Sequence, residues 1–282
     1  MNSENSITFY AIVVLYNENG DNSRSLNNLK KIINYNIKIV VVDNSSKDMK
    51  NEEFCRVHDY YYIPMGGNKG LSKAYNHTLS KLNVSGNDKI IIWFDDDTDI
   101  TQEYFDKLYE AVVKYPEIDI FAPVIYGQDG KIYSPNQVRY FRNKQLKKPS
   151  GYILEKKFNA INSCTAVRAE VYDGYRYDER MFLDQIDHRF FEDQRMLNRR
   201  FMKLDTIINH NFSLKGENRN PEIAWRRYEI MIPDFMIYCE RTTVRKLLGI
   251  CKVLGWAIRG GIQYHSLKFS YRCMKKCFQN IG

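Results

Sequence analysis

The sequence has no C-x-x-C pair and no zinc-like cysteine spacing. Its six cysteines, Cys55, Cys164, Cys239, Cys251, Cys273 and Cys277, stand apart. That excludes a structural zinc site and fits reduced thiols in a cytoplasm better than a disulfide framework. No window holds the roughly 18 consecutive apolar residues of a membrane-spanning helix, so none is expected. The N-terminus lacks the basic and apolar regions of a secretory signal, which also leads to a cytoplasmic expectation. Residues 241–282 contain no Asp or Glu. No internal repeat or low-complexity segment interrupts the chain, and no RRM, KH, helix-turn-helix or zinc pattern accompanies its basic residues. Nucleic acid is therefore not an expected partner.

What is present suits a folded α/β protein of one large or two modest domains. The 282 residues are 44% hydrophobic, 14% aromatic and 27% charged, enough to bury a core. The net charge of +8 is not evenly spread. Residues 241–282 carry nine Lys/Arg, which leaves 33 basic against 34 acidic groups in the other 240 residues.

Residues 7–15, ITFYAIVVL, read as a buried strand ending in the polar stretch YNENGDN. Leu26, Leu29, Ile32 and Ile33 then follow at helical spacing, and IKIVVVDNSS is a second apolar run with a polar end. This βαβ pattern calls for a parallel sheet covered on both faces. A short strand in YYIP leads through Gly66, Gly67 and Gly70 into a helix bearing Leu71, Ala74 and Leu79. KIIIWF is the next strand and runs directly into Asp95, Asp96 and Asp97. Thr101 is a suitable N-cap for a helix that stops before Pro116. IDIFAPVIY is a further strand, and residues 127–160 read as a loop or hairpin excursion.

In an open parallel sheet, ligands sit outside the carboxyl ends of the strands. Here those ends carry Asn17, Asp43 with Asn44, the Gly66–Gly70 loop and the acidic triplet. Alternate residues of an extended segment point the same way, so Asp95 and Asp97 face one guest while Asp96 faces another direction. Two carboxylates that close call for a hard cation, Mg²⁺ or Mn²⁺, with substrate phosphates filling its remaining positions.

AIVVLYN, VVVDNSS, GGNKGLSKAYN and WFDDDT, in that order, resemble the family 2 inverting glycosyltransferases of GT-A nucleotide-sugar fold. NSCTAVRAEVYDGYRYDERMFLDQID extends the resemblance toward the bacterial rhamnosyltransferases and their galactofuranosyltransferase relatives, over about residues 7–215. The resemblance implies residues 1–215 as the catalytic domain and 216–282 as a C-terminal helical extension. It sets Asn17 and Asp43 around the base and ribose, with Leu15 and Asn44 beside them on the donor side. Asn68, Gly70 and Asn76 fall in the loop and helix shaping the donor site. Asp95 and Asp97 then hold the metal on the diphosphate, Asp96 lies on the donor, and His210 is a third metal ligand.

An inverting transfer also needs a general base away from the metal. FLDQIDHRFFEDQR offers Asp184, Asp187, Glu192 and Asp193. The resemblance places the base at Asp187 and Asp184 near the acceptor, with Glu192 or Asp193 as alternatives. His188 and Arg189 depart from the relatives' pattern immediately after Asp187. The implied reaction moves L-rhamnose from dTDP-rhamnose to a hydroxyl of a bacterial surface polysaccharide or lipid-linked glycan. A UDP-dependent galactofuranosyl or other hexosyl transfer is the alternative, because Asp96 stands where the rhamnosyl branch more often has Gln. A sugar nucleotidyltransferase and a non-catalytic scaffold rank lower. The first would have a basic triphosphate loop near the N-terminus, and the second would not keep Asp95, Asp97 and Asp187.

Within the tail, Val244, Leu247, Leu248, Cys251, Leu254 and Ile258 share one helical side and Arg245, Lys252 and Arg259 another. Lys268, Arg272, Lys275 and Lys276 share a later face. Such helices suit the surface of an anionic bilayer, with packing on the catalytic domain or in a homodimer as the rival. The protein is thus expected at the inner face of the cell membrane, peripherally attached through residues 241–282.

Overall fold

The computed structural model describes residues 7–139, 142–145, 157–210 and 220–280. The first apolar run forms β1 (Thr8–Leu15), and the second forms β2 (Asn36–Asp43) parallel to it. β3 (Tyr61–Pro64) extends the sheet beyond β2, and β4 (Lys89–Asp95) joins β1 on its other side, both parallel. After these come β5 (Ile120–Gly127), β6 (Ile132–Ser134), β7 (Asn136–Arg139), β8 (Arg142–Gln145), β9 (Phe158–Asn159), β10 (Ala166–Arg168) and β11 (Phe201–His210). The main sheet has the order β11-β5-β10-β4-β1-β2-β3, with β6 paired to β5. β10 is antiparallel to both β4 and β5, β6 is antiparallel to β5, and β11 is parallel to β5. Both faces of the central strands are buried: Phe9, Ala11 and Val13 on one side and Ile12 on the other are wholly inaccessible. Such continuous apolar runs mark a parallel sheet covered by helices on both faces.

The covering helices are α1 (Arg24–Leu29), α2 (Asn51–His58), α3 (Leu71–Leu82), α4 (Gln102–Lys114) and α5 (Ile186–Met196). α4 starts as the sequence indicates, with Thr101 Oγ1 accepting from the Tyr104 amide at 3.2 Å. α1 does not reach Ile32 and Ile33. The Lys31 and Ile32 amides donate to the carbonyls of Asn28 and Leu29, and Asn34 adopts a left-handed φ of 70°. The Gln102 side chain accepts from the Ile33 amide and donates to its carbonyl, at 3.0 and 3.2 Å. It thereby supplies the two bonds a further helical turn would have made.

Among the described residues after β5 the hairpin alternative holds: β8, β7 and β9 form a separate antiparallel sheet in that order. Arg168, at the end of β10, is buried and donates to the carbonyls of Ile118, Val112 and Tyr115, which ties down the C-terminus of α4.

The described residues form two compact units. One takes in 7–69, 74–177 and 190–210 and holds the main sheet; the other takes in 70–73, 178–189 and 220–280. The second contains α6 (Pro221–Cys239), α7 (Thr243–Gln263) and α8 (Leu267–Gln279). α7 packs through small residues. Gly249 lies against Cys239, Gly260 against Phe269, and Val253 and Ala257 are buried between them. A Cβ on Gly260 would fall 2.2 Å from the Phe269 ring. Trp256 packs against Phe235, whereas Val244, Leu247, Leu248, Ile258 and Ile262 of α7 face outward, with Leu247 58% and Ile258 64% exposed. Among the described residues no helix is long and apolar enough to cross a membrane.

Candidate active site

Because β1 to β4 run parallel in register, Leu15 pairs with Asp43, Val14 with Asp95 and Asp43 with Pro64. The strand ends therefore deliver their polar residues to one rim. Leu15 is buried and its carbonyl accepts from the Asn44 amide at 2.9 Å. Asn17 takes a left-handed φ of 52°, a conformation Asn tolerates better than most residues. Its amide donates to Ser45 Oγ and its Oδ1 accepts from the Ser46 amide, each at 2.9 Å. Asp43 accepts from the Ser45 amide and the Tyr62 hydroxyl, both at 3.1 Å. Buried Asn44 donates to Asn68 Oδ1 at 3.2 Å and accepts from the Lys69 amide at 2.8 Å, so it holds the glycine loop against the end of β2. Asn76 accepts from the amide of Tyr177 and donates to its carbonyl, both at 2.9 Å, which fastens α3 to the segment after β10. Gly70 lies in the second unit at φ 84°.

The acidic triplet is braced by hydroxyls that are far away in sequence. Ser25 Oγ donates to the Asp95 carbonyl and accepts from the Thr98 amide at 3.0 Å. Ser23 Oγ donates to the Asp96 carbonyl at 3.0 Å, and Ser163 Oγ accepts from the Asp95 amide at 3.3 Å. Nothing in the local sequence marks Ser23, Ser25 or Ser163 for this task.

His210, the last residue of β11, is buried and places Nε2 3.1 Å from Asp95 Oδ2 and 3.6 Å from Asp97 Oδ1. Burial opposes its protonation, but the hydrogen bond to Asp95 and the charges of Asp95, Asp97 and Asp96 outweigh that and hold its pKa above the usual value. Burial raises Asp97, partly offset by His210. Burial, with the neighbouring Asp97 and Asp95 charges, pushes Asp96 up to about 6.

One ligand atom from each of Asp95, Asp97 and His210 lies within 4.8 Å of the others. Asp97 Oδ1 is buried and, among the described residues, accepts no hydrogen bond. An oxygen in that state, beside two more like charges, is what a divalent cation satisfies. The two carboxylates suit Mg²⁺ or Mn²⁺, and the imidazole nitrogen can serve as a third ligand. The residues thus fit such an ion.

The remaining acids divide between the units: Asp184 and Asp187 belong to the second, Glu192 and Asp193 to the first. Both oxygens of Asp184 accept from the Arg227 guanidinium. Asp187, in the first turn of α5, accepts from the His188 amide at 2.7 Å. Burial raises its pKa, His188 opposes the rise, and Asp184 adds to it. Asp193 accepts from the Tyr175 hydroxyl at 3.2 Å. Glu192 lies half-buried on the same helix.

The mostly parallel sheet with antiparallel β10 inserted between β4 and β5, and an acidic triplet at a strand end, defines a GT-A glycosyltransferase fold. Similar solved structures share it. Residues 1–349 of TarS from Staphylococcus aureus, in complex with UDP, are 16% identical, with 86% of this chain and 69% of that one covered at a TM-score of 0.52. The mannosyltransferase PcManGT from Pyrobaculum calidifontis, in complex with GDP-Man and Mn²⁺, is 11% identical, covering 97% and 86% at 0.56. Glucosyl-3-phosphoglycerate synthase from Mycobacterium tuberculosis, with Mn²⁺, UDP and phosphoglyceric acid, is 11% identical, covering 83% and 79% at 0.52. These likenesses are of fold.

The model of Glycosyl transferase family 2 matches residues 10–176, and the chain belongs to that family. A curated relative, the dTDP-rhamnosyl transferase RfbF of Shigella flexneri, is 28% identical over 181 residues. The match covers 63% of this chain and 60% of that relative's length, so the chain spans less than two thirds of it.

Proposed function

We propose that the protein is a metal-dependent inverting glycosyltransferase that moves L-rhamnose from dTDP-rhamnose to a hydroxyl of a bacterial surface polysaccharide or lipid-linked glycan. The observation that carries this reading is the Asp95, Asp97 and His210 cluster on the rim that also bears Asn17 and Asp43. The likeness to the Shigella enzyme supports rhamnose. Asp96 in the middle of the triplet favours, as a second reading, a UDP-linked galactofuranosyl or other hexosyl donor.

In this reading Leu15, Asn17, Asp43 and Asn44 receive the base and ribose, and Asn68, Gly70, Asn76 and Asp96 shape the donor pocket. Asp95, Asp97 and His210 hold Mn²⁺ or Mg²⁺, which when bound stabilises the charge of the departing diphosphate. Asp187 accepts the acceptor hydroxyl's proton as that oxygen bonds to the sugar's anomeric carbon and the bond from that carbon to the diphosphate breaks. A carboxyl with a raised pKa is the better base near neutral pH. Asp184 lies toward the acceptor, and Glu192 and Asp193 are the alternative bases.

The test is to incubate the protein with Mn²⁺ and either dTDP-L-rhamnose or UDP-galactofuranose. Release of dTDP by slow hydrolysis, with a metal-dependent rise in Tm, is expected. Release of UDP alone selects the second reading, and release of neither overturns both.

The reading extends to location: residues 1–215 carry the transfer, and 216–282 bring it to the anionic inner face of the membrane. Val244, Leu247, Leu248, Ile258 and Ile262 of α7 and Leu267, Tyr271 and Phe278 of α8 are all exposed. Fully burying an exposed side chain of this kind is worth about 1.5–3 kcal/mol, and each of these would recover the share that is still exposed. With no acid in residues 241–282, an anionic lipid surface complements this face better than a second copy of it. Lys268 and Arg272 are engaged by Glu222 of α6, while Arg259 and Lys275 are exposed. Replacing both Leu247 and Ile258 by Glu should change Tm little, since each is more than half exposed, and should abolish cosedimentation with phosphatidylglycerol vesicles. Unaltered cosedimentation would remove the tail from the membrane reading.

A further inference from the structure

The segment 178–189, which carries Asp184 and Asp187, is fastened along α6. Arg227 takes both oxygens of Asp184. Seven residues on, Asp234 accepts from three successive amides: Phe182 at 2.8 Å on Oδ1, and Leu183 and Asp184 at 2.7 Å each on Oδ2. The Ile237 carbonyl accepts from Arg189 at 2.7 Å, and Glu240 accepts from Arg180. Arg227, Asp234 and Ile237 lie within α6 and Glu240 caps its end, so that helix and its C-cap supply these contacts. On its other side the same loop accepts from the Leu71 amide at 2.7 Å through the Phe182 carbonyl. Gly70 leaves room for that approach, since a Cβ there would lie 2.7 Å from Phe182.

Asp234 is 1% exposed. Burying a carboxylate is costly unless hydrogen bonds to its charged form compensate. Burial raises its pKa and the three amides pull it back. An asparagine or serine oxygen at this position could accept at most two of the three amides, whereas the two oxygens of a carboxylate accept all three. Their shared acceptor fixes the backbone from 182 to 184, two residues before the turn that opens α5 at Asp187.

We infer that Asp234 is a positioning residue for the transfer step: it sets the loop that carries Asp184 and leads into Asp187. This rests on the assignment of Asp187 as the base. A positioning error on the order of 1 Å costs about 100-fold in rate, so holding this loop has a direct kinetic consequence. The helical segment after residue 216 then serves catalysis as well as attachment.

Asp234→Asn turns one acceptor oxygen into an NH₂ group that must face at least one of the three amides. Asp234→Glu keeps both oxygens but displaces them by a methylene. The probes are Mn²⁺-dependent hydrolysis of dTDP-L-rhamnose for turnover and dTDP binding for the donor site. The expected result is a kcat lowered roughly 10- to 100-fold in the Asn variant and by less in the Glu variant. The acid limb of the pH–rate profile should move, and dTDP affinity should be unchanged. Wild-type kcat and an unmoved acid limb in both variants overturn the inference. An equal loss of dTDP binding and turnover also overturns it, because the role is then structural only. Where the Asn variant does not fold, the Glu variant decides by the same criteria. Asp187→Asn, measured alongside, separates the two claims: full turnover there defeats the base assignment, whereas its loss together with a normal Asp234→Asn defeats only the positioning role.

Discussion

Asp97→Asn will abolish the Mn²⁺-dependent stabilisation of the protein and the metal-dependent binding of its nucleotide donor. The replacement keeps the shape of the side chain and removes the charge. Removing an outer partner of a metal ligand costs about 10- to 100-fold in affinity, and removing a ligand should cost more. Without metal the same variant should be at least as stable as the parent. Burial already disfavours the Asp97 anion, so a neutral amide relieves repulsion with Asp95 and Asp96.

The pH dependence follows with the same sign from two groups. Asp96 titrates near 6 in the folded chain and near 3.8 unfolded. The folded state therefore binds more protons, and metal-free stability falls as pH rises through that window. His210, with its raised pKa, must release a proton to ligate. Both effects make the Mn²⁺-induced shift in Tm grow between pH 5 and 8 on the order of the titrations involved. Calorimetric titration with Mn²⁺ at several pH values checks this. A Mn²⁺ affinity in Asp97→Asn equal to the parent's would remove Asp97 from the metal site.

Asp187→Asn should leave Mn²⁺ and dTDP binding intact and lower turnover by about 10²- to 10⁴-fold, the range for loss of a general base. In the parent, turnover should fall as pH drops through the raised pKa of Asp187, because a protonated carboxyl accepts no proton. The Asn variant should lack that acid limb. Single-turnover assays separate the chemical step from product release. If Asp187→Asn remains active while Glu192→Gln or Asp193→Asn does not, the base lies further along α5.

The strands and the rim were readable in sequence because each depends on local pattern. Short apolar runs rich in β-branched and aromatic residues, each leading into Asn or Asp, read as strands of a sheet buried on both faces. The parallel topology then brings Leu15, Asp43 and Asp95 to one edge. The cap at Thr101 was equally local. The early end of α1 was not, because it depends on Gln102, roughly seventy positions away. Ser25 and Ser163 brace the triplet from comparable distances and carry no mark of it. In α7 the spacing correctly groups Leu247, Leu248 and Ile258, but a helical wheel does not say which side faces out. Gly249 and Gly260 decide that by letting only the narrow side approach α6 and α8.

β10 is three residues long, yet among the described residues it is the strand that joins β4 to β5, and with β5 come β6 and β11. During synthesis the first four strands can pair among themselves and β6 can pair with β5, while the link between β4 and β5 forms only once residue 168 has emerged. Pairings that remote in sequence form late, after a large loop closure. The edge of β4 next to the acidic triplet therefore stays open from the emergence of residue 95 until that of residue 168, an interval in which a nascent chain is exposed to mispairing.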